Sequence, residues 1–135
     1  MADLSVTPAN VVTVDGTVRR GVAGGTVTAG QPVRFSSNEL IAATDASAAG
    51  AAVAGIALHG ASDNQPLAYQ TTGTINIGAT VAVGKVYVLS TSGAIAPVDD
   101  IAGSEFVTVI GVGVTAANIK LGLCTSGVAA AGAVA

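Results

Sequence analysis

Tryptophan is absent from this chain, and only two phenylalanines and two tyrosines are present. Small carbohydrate- or ligand-binding β-domains usually present exposed aromatic platforms, so this composition argues against that class. Charge is scarce as well: 10% of the 135 residues are Asp, Glu, Lys or Arg, against about 25% in an ordinary soluble domain. A monomer needs charge over its surface to stay soluble, so a chain this poor in charge is expected to bury much of its surface against other proteins. The five basic residues are scattered apart from Arg19-Arg20, and the formal net charge is −3. With no basic stripe to neutralise phosphates, nucleic acid is not an expected partner.

Long apolar runs are missing too. The longest, "AAGAAVAGIAL" (48–58) and the C-terminal "GVAAAGAVA", fall well short of the roughly 20 residues that a spanning helix needs, so no membrane partner is expected. The first residues, "MADLSVTPAN", lack a basic start and an apolar core, which predicts no secretory signal and synthesis in the cytoplasm. The single cysteine, Cys124, cannot make an internal disulfide. In the apolar alternation "IKLGLC" it reads as a small buried hydrophobe.

What is present is valine, alanine and glycine in short alternating runs. One domain of this length buries roughly two thirds of its unfolded surface around one core. "VVTVDGTVRRGVAGGTVTAG" places Asp15-Gly16 between two alternating stretches, the sequence signature of a β-hairpin. "QPVRFSS" predicts a short strand with Pro32 at its start or on an edge. "LIAATDASAAGAA" has an interrupted helical period and reads as loop or marginal helix. In "AVAGIALHGA" a strand is expected, with Gly55 marking a bulge or a close backbone approach. "PLAYQTTGTINI", "KVYVLS", "AIAPV", "EFVTVIGVGV" and "NIKLGLC" follow at the spacing of a sandwich or barrel. The fold class expected is all-β: a compact sandwich or barrel with small residues inside. Residues 1–10 would be an extended arm that either frays or lies on a neighbour, 11–124 the β-domain, and 125–135 an Ala/Gly-rich tail.

Several stretches imitate chemical motifs. "GATVAVGKVYVL" contains Gly-Lys, but a phosphate loop needs four residues between its glycines and a hydroxyl after the lysine. Here five residues separate Gly78 from Gly84, and Val86 follows Lys85, so a strand is expected. Gly111, Gly113 and Ala116 match the dinucleotide fingerprint, but neither a helix nor an acidic residue about 20 positions on follows. A glycine-bearing strand packed closely on its neighbour is the better reading. His59 and Asp63 supply two donors where a tetrahedral metal needs four, so no metal is expected, and His59 reads as an exposed or hydrogen-bonded residue at a strand end. Asp99-Asp100 would point to opposite faces of a strand and reads as a solvated loop. No cofactor and no catalytic constellation is expected, so the chain reads as a non-enzyme.

The order "AGQPVRF", "AAVAGIALHGASDNQPLAYQTTGTI", "IGATVAVGKVYVLSTSGAI", "VIGVGVTAANIKLGL", over Gly30–Leu123, resembles the small capsid decoration, or cement, proteins of tailed bacteriophages. The resemblance rests on turns and strands and carries over no active site. It implies a structural virion protein on the outer capsid surface that bridges neighbouring subunits of the major capsid protein. It also implies a homo-oligomer, usually a trimer and sometimes a dimer. Arg19, Arg20 and Arg34, the concentrated positive charge, are the expected capsid contacts; a solvated strand face is the plainer reading of the same residues. Another phage structural subunit, from tail or fibre base, would share this composition.

Overall fold

The computed structural model describes residues 4–47, 49–90, 93–98 and 106–129. Pro8–Asn10 forms a three-residue 3-10 turn, Gly93 and Val98 are also in 3-10 conformation, and the rest of the described residues are strand and loop. The strands are β1 (Val12–Thr13), β2 (Val18–Val22), β3 (Pro32–Ser36), β4 (Glu39–Ala42), β5 (Gly55–Ala57), β6 (Pro66–Gln70), β7 (Gly73–Asn76), β8 (Val86–Leu89), β9 (Ile95–Pro97), β10 (Phe106–Gly113) and β11 (Asn118–Ala129). They form two antiparallel sheets, ordered β1-β7-β11-β10-β8-β9 and β2-β6-β5-β3-β4, packed on one another as an all-β sandwich.

Asp15-Gly16 is not a hairpin turn. β1 pairs with β7 in the first sheet, while β2 pairs with β6 in the second. The same two chain segments run side by side through both sheets. Stepping six residues from the Val12↔Asn76 pair reaches Val18↔Gln70 with no slip of register. Asp15-Gly16 and Thr72-Gly73 are therefore the corner where one continuous ladder bends from sheet to sheet. Both glycines have positive φ, +109° and +88°, and a Cβ on Gly16 would sit 2.0 Å from the Thr72 carbonyl oxygen. The Asp-Gly pair is used for its conformational freedom, as a turn would use it, but at a sheet corner.

Gln70 pins this corner. Fully buried, its Nε2 lies 2.7 Å from the Asp15 carbonyl, 2.8 Å from that of Thr72 and 3.1 Å from that of Thr74. The Asp15 carboxylate completes it by accepting from the Thr74 N–H at 3.0 Å. The Thr74 carbonyl also accepts from the Val14 and Asp15 N–H groups (3.0 and 3.2 Å), whereas those of Asp15 and Thr72 leave the ladder at the bend and rely on Gln70; an unpaired buried carbonyl costs about 1–3 kcal/mol.

The stretch expected as loop or marginal helix begins as strand: Leu40, Ile41 and Ala42 lie in β4, paired with β3. The link is the two-residue turn Ser37-Asn38, with φ of 52° and 68°. Both central residues of such a turn need positive φ, and Asn tolerates it better than most. Pro32 opens β3, as expected, and Gly55 marks a close approach, since a Cβ there would lie 2.6 Å from the Gln70 carbonyl oxygen.

Two cores result. Ile56, Ile75, Ile77, Leu89, Ile95, Ile110 and Ile119 fill the space between the sheets with Tyr87. Each buried aliphatic side chain contributes about 1.5–3 kcal/mol, so β-branched residues carry the load that aromatic rings carry elsewhere. The second sheet curls until β2 and β4 touch, where Gly24 N–H donates to the Leu40 carbonyl (2.8 Å) and Ala23 bridges Leu40. This roll encloses Ala23, Val27, Val33, Leu40, Ala57, Ala61, Leu67 and Tyr69.

The N-terminal segment lies on its own domain. Leu4 N–H donates to the Ile95 carbonyl (2.7 Å) and Thr7 N–H to that of Gly78 (2.8 Å), while Leu4 and Val6 pack on the inter-sheet core. At the other end β11 continues to Ala129, opposite Phe106. Residues 125–129, expected as the start of the tail, are thus strand, and 130–135 lie outside the described residues.

Candidate functional site

Among the described residues, the stretches that imitate chemical motifs occupy turns and strands. Gly84-Lys85 closes a tight turn, in which Lys85 N–H donates to the Ala82 carbonyl (3.2 Å), and the chain then enters β8. Gly111 and Gly113 lie in β10, where a Cβ on either would come within 2.2 Å of the carbonyl oxygen of Lys120 or Ala82. That is the close strand packing expected of them. His59, just beyond β5, has Nδ1 2.9 Å from the Gly60 carbonyl, and its Nε2 accepts from the Ala68 N–H at 3.0 Å. The two backbone groups fix the Nδ1–H tautomer. Both ring nitrogens are thereby engaged by the backbone. Asp99-Asp100 lies outside the described residues.

Among the described residues no group of three His, Cys, Asp or Glu side chains could hold a metal ion, and no helix is long and apolar enough to cross a membrane. An open groove of about 590 Å³ beside the N-terminal segment is lined by Ser5, Thr7, Asn10, Asn76 and Thr80 among others, with no titratable side chain. It offers hydroxyls and amides but no acid or base.

Cys124 departs from expectation. It is exposed on β11 rather than buried. Ile119 and Leu121 take the inward positions of that strand, so Lys120, Gly122 and Cys124 fall on the outer face. The alternation in "IKLGLC" is real, but its phase puts the thiol on the outside.

The surface of the first sheet is where the unusual chemistry lies. Ile75 and Ile119 are fully buried and point inward, so the residues on either side of them point out. Directly opposed strand residues share a face. One outward row runs Thr74, Lys120, Val112, Val86, and the next runs Val12, Asn76, Asn118. Val14 joins the first row through its N–H to the Thr74 carbonyl (3.0 Å), and Val114 the second through its N–H to that of Asn118 (3.0 Å). Beside them Val83, at 70% the most exposed large apolar residue among the described residues, sits in the turn tied to Gly113 by the Gly84 N–H (2.7 Å). Val12, Val14, Val112 and Val114 are all more than a third exposed. Lys120 is the one charged side chain in these rows. Single exposed valines mean little; here Val12, Val14, Val112 and Val114 share one charge-poor sheet face.

Arg19, Arg20 and Arg34 are not brought together. Neighbours on β2, Arg19 and Arg20 project to opposite sides of the sheet, and Arg34 lies on β3, which β4 separates from β2 where the sheet closes on itself. Among the described residues none of the three side chains makes a hydrogen bond or ion pair, and the Arg34 Nε is buried without a partner. The exposed valines were not singled out in the sequence. Alternation signals two faces, yet not which of them another layer covers. No protein-family model matches the chain, and no curated protein matches it.

Proposed function

We propose that this chain is a structural subunit of a tailed-phage virion that binds the outer surface of the capsid and bridges neighbouring major capsid protein subunits. The observation that carries the reading is the outer face of the first sheet, where Val12, Val14, Val112 and Val114 lie exposed around Thr74, Asn76, Asn118 and a single charge. Such a face suits a flat contact that excludes water over a wide area rather than a site that converts a substrate. The segment order that resembles capsid decoration proteins supports the same reading. In it the chain works without a cofactor and is not an enzyme. It is made in the bacterial cytoplasm and ends on the virion exterior, as a homo-oligomer with a trimer favoured over a dimer.

The physical effect is mass action. A ligand that binds the assembled shell and not its free subunits stabilises the shell, and repetition over many sites multiplies the gain. The test is co-sedimentation of the purified chain with expanded capsids stripped of decoration, followed by thermal melting of the shells. Saturation at a fixed ratio to the major capsid subunit, a higher shell melting temperature and loss of both in Val112→Asp are the expected results. Absence of binding to expanded shells overturns the proposal and favours a tail or fibre-base subunit.

A further inference from the structure

β2 is an edge strand that is open over part of its length. On one side it pairs with β6; on the other, the Ala23↔Leu40 bridge closes only its C-terminal end. In an antiparallel pair, alternate residues turn their backbone groups toward the partner strand and the rest turn them away. The Thr17 carbonyl accepts from the Thr71 N–H (2.9 Å) and the Ala23 N–H donates to the Gln65 carbonyl (2.9 Å). Odd-numbered residues of β2 therefore face β6, and the N–H and C=O groups of Val18 and Arg20 face outward.

An open edge invites another strand, and charge decides which. Arg19 and Arg20 stand on opposite sides of the strand at its open stretch, with no hydrogen-bond or ion-pair partner among the described residues. Val18 and Val22 flank them, both 42% exposed. A strand laid along this edge sets one residue opposite Arg19 and the adjacent one opposite Arg20, so two consecutive carboxylates would meet both cations, one on each face. A basic segment would be repelled on both faces. The arginines thus act as a filter: they guard the edge against indiscriminate pairing and admit one class of strand.

We propose that the open edge of β2 is a strand-addition site for an extended segment of a partner protein carrying two adjacent carboxylates between apolar residues. The main-chain hydrogen bonds of Val18 and Arg20 supply the docking, and the two arginines supply the selection. This holds whatever the partner is, so its failure leaves the capsid reading standing, and failure of capsid binding leaves it untouched.

The test uses the full chain, isotope-labelled, and three blocked peptides: Thr-Val-Asp-Asp-Val-Thr, its Lys-Lys counterpart, and the acidic peptide N-methylated at alternate residues. The acidic peptide is expected to slow hydrogen exchange at the Val18 and Arg20 amides, with an affinity that falls as salt rises. The other two peptides should leave both amides unchanged. Arg19→Ser and Arg20→Ser should each weaken binding by up to about fivefold, the upper range of an exposed ion pair, with the urea midpoint unmoved. Equal binding of the acidic and basic peptides overturns the proposal, as does binding of the N-methylated one. So does protection of the same amides that grows with protein concentration in the absence of peptide, which would assign the edge to a second copy of this chain.

Discussion

Between the sheets the space is filled by Ile56, Ile75, Ile110 and Ile119, whereas inside the rolled second sheet Ala23, Ala57, Ala61, Val27 and Val33 surround Leu40, Leu67 and Tyr69. The difference follows from geometry. Two facing sheets lie about 10 Å apart and need branched side chains from both to meet in the middle. A sheet curled on itself has a tighter interior, which small residues must line. Glycine is the limiting case: a Cβ on Gly21 would lie 2.8 Å from Leu40 Cδ1, and one on Gly55 would lie 2.7 Å from Tyr69 Cδ2. The roll is also less sealed, since Phe35 stands 52% exposed against Tyr69 on its side.

Truncation in each core tests this contrast most directly. Ile110→Ala removes three carbons from a site enclosed by both sheets, and the expected cost is about 4 kcal/mol, read from the urea midpoint. Leu40→Ala, in the roll, should cost nearer 2 kcal/mol, because a less sealed site relaxes or hydrates more readily. An equal or larger loss for Leu40→Ala would break the comparison.

The corner that joins the two regions gives the next effect. Gly73 and Gly84 have similar positive φ, +88° and +81°, but a Cβ on Gly73 would sit 2.3 Å from the Asp15 carbonyl oxygen while Gly84 has open space. Gly84→Ala therefore reports the conformational penalty alone, about 1 kcal/mol, and Gly73→Ala adds a backbone collision for a total of about 3 kcal/mol. Gln70→Leu should follow at about 2 kcal/mol, since it strips the donor from the Asp15 and Thr72 carbonyls, while that of Thr74 keeps the Val14 and Asp15 N–H groups. If Gln70→Leu is neutral, the three contacts do not hold the corner.

This corner also shows what the sequence could and could not disclose. Alternating valines located most of the strands, and Gly55 and Gly111 declared close approaches, because those signals are local. Asp15-Gly16 is equally local in its demand for positive φ, but whether the chain reverses or crosses to another sheet depends on Gly73, far along the chain. Ser37-Asn38 escaped notice because the turn carries no glycine, and β4 because alanines hide a strand whose partner is across that turn. The exposed face of the first sheet was half legible. Lys120, Gly122 and Cys124 share one phase and Ile119 and Leu121 the other, but only packing decides which phase meets solvent.

The smallest expected effect is the most informative about how the two cores are joined. Tyr69 lies in the roll and Tyr87 in the inter-sheet core, and with no tryptophan in the chain each tyrosine can serve as the sole fluorescent reporter of its region once the other is replaced by Phe. Phe35→Ala removes a half-exposed ring set edge-on to Tyr69, with centroids 6.2 Å apart, and should cost about 1 kcal/mol. If the continuous ladder through Asp15-Gly16 and Thr72-Gly73 makes the sheets one cooperative unit, both reporters shift to the same lower urea midpoint although the substitution touches only the roll. A Tyr69 transition that moves alone would mean that the corner is a hinge between two independently melting parts. The contrast in packing would then extend to a contrast in stability, with the roll as the part that opens first.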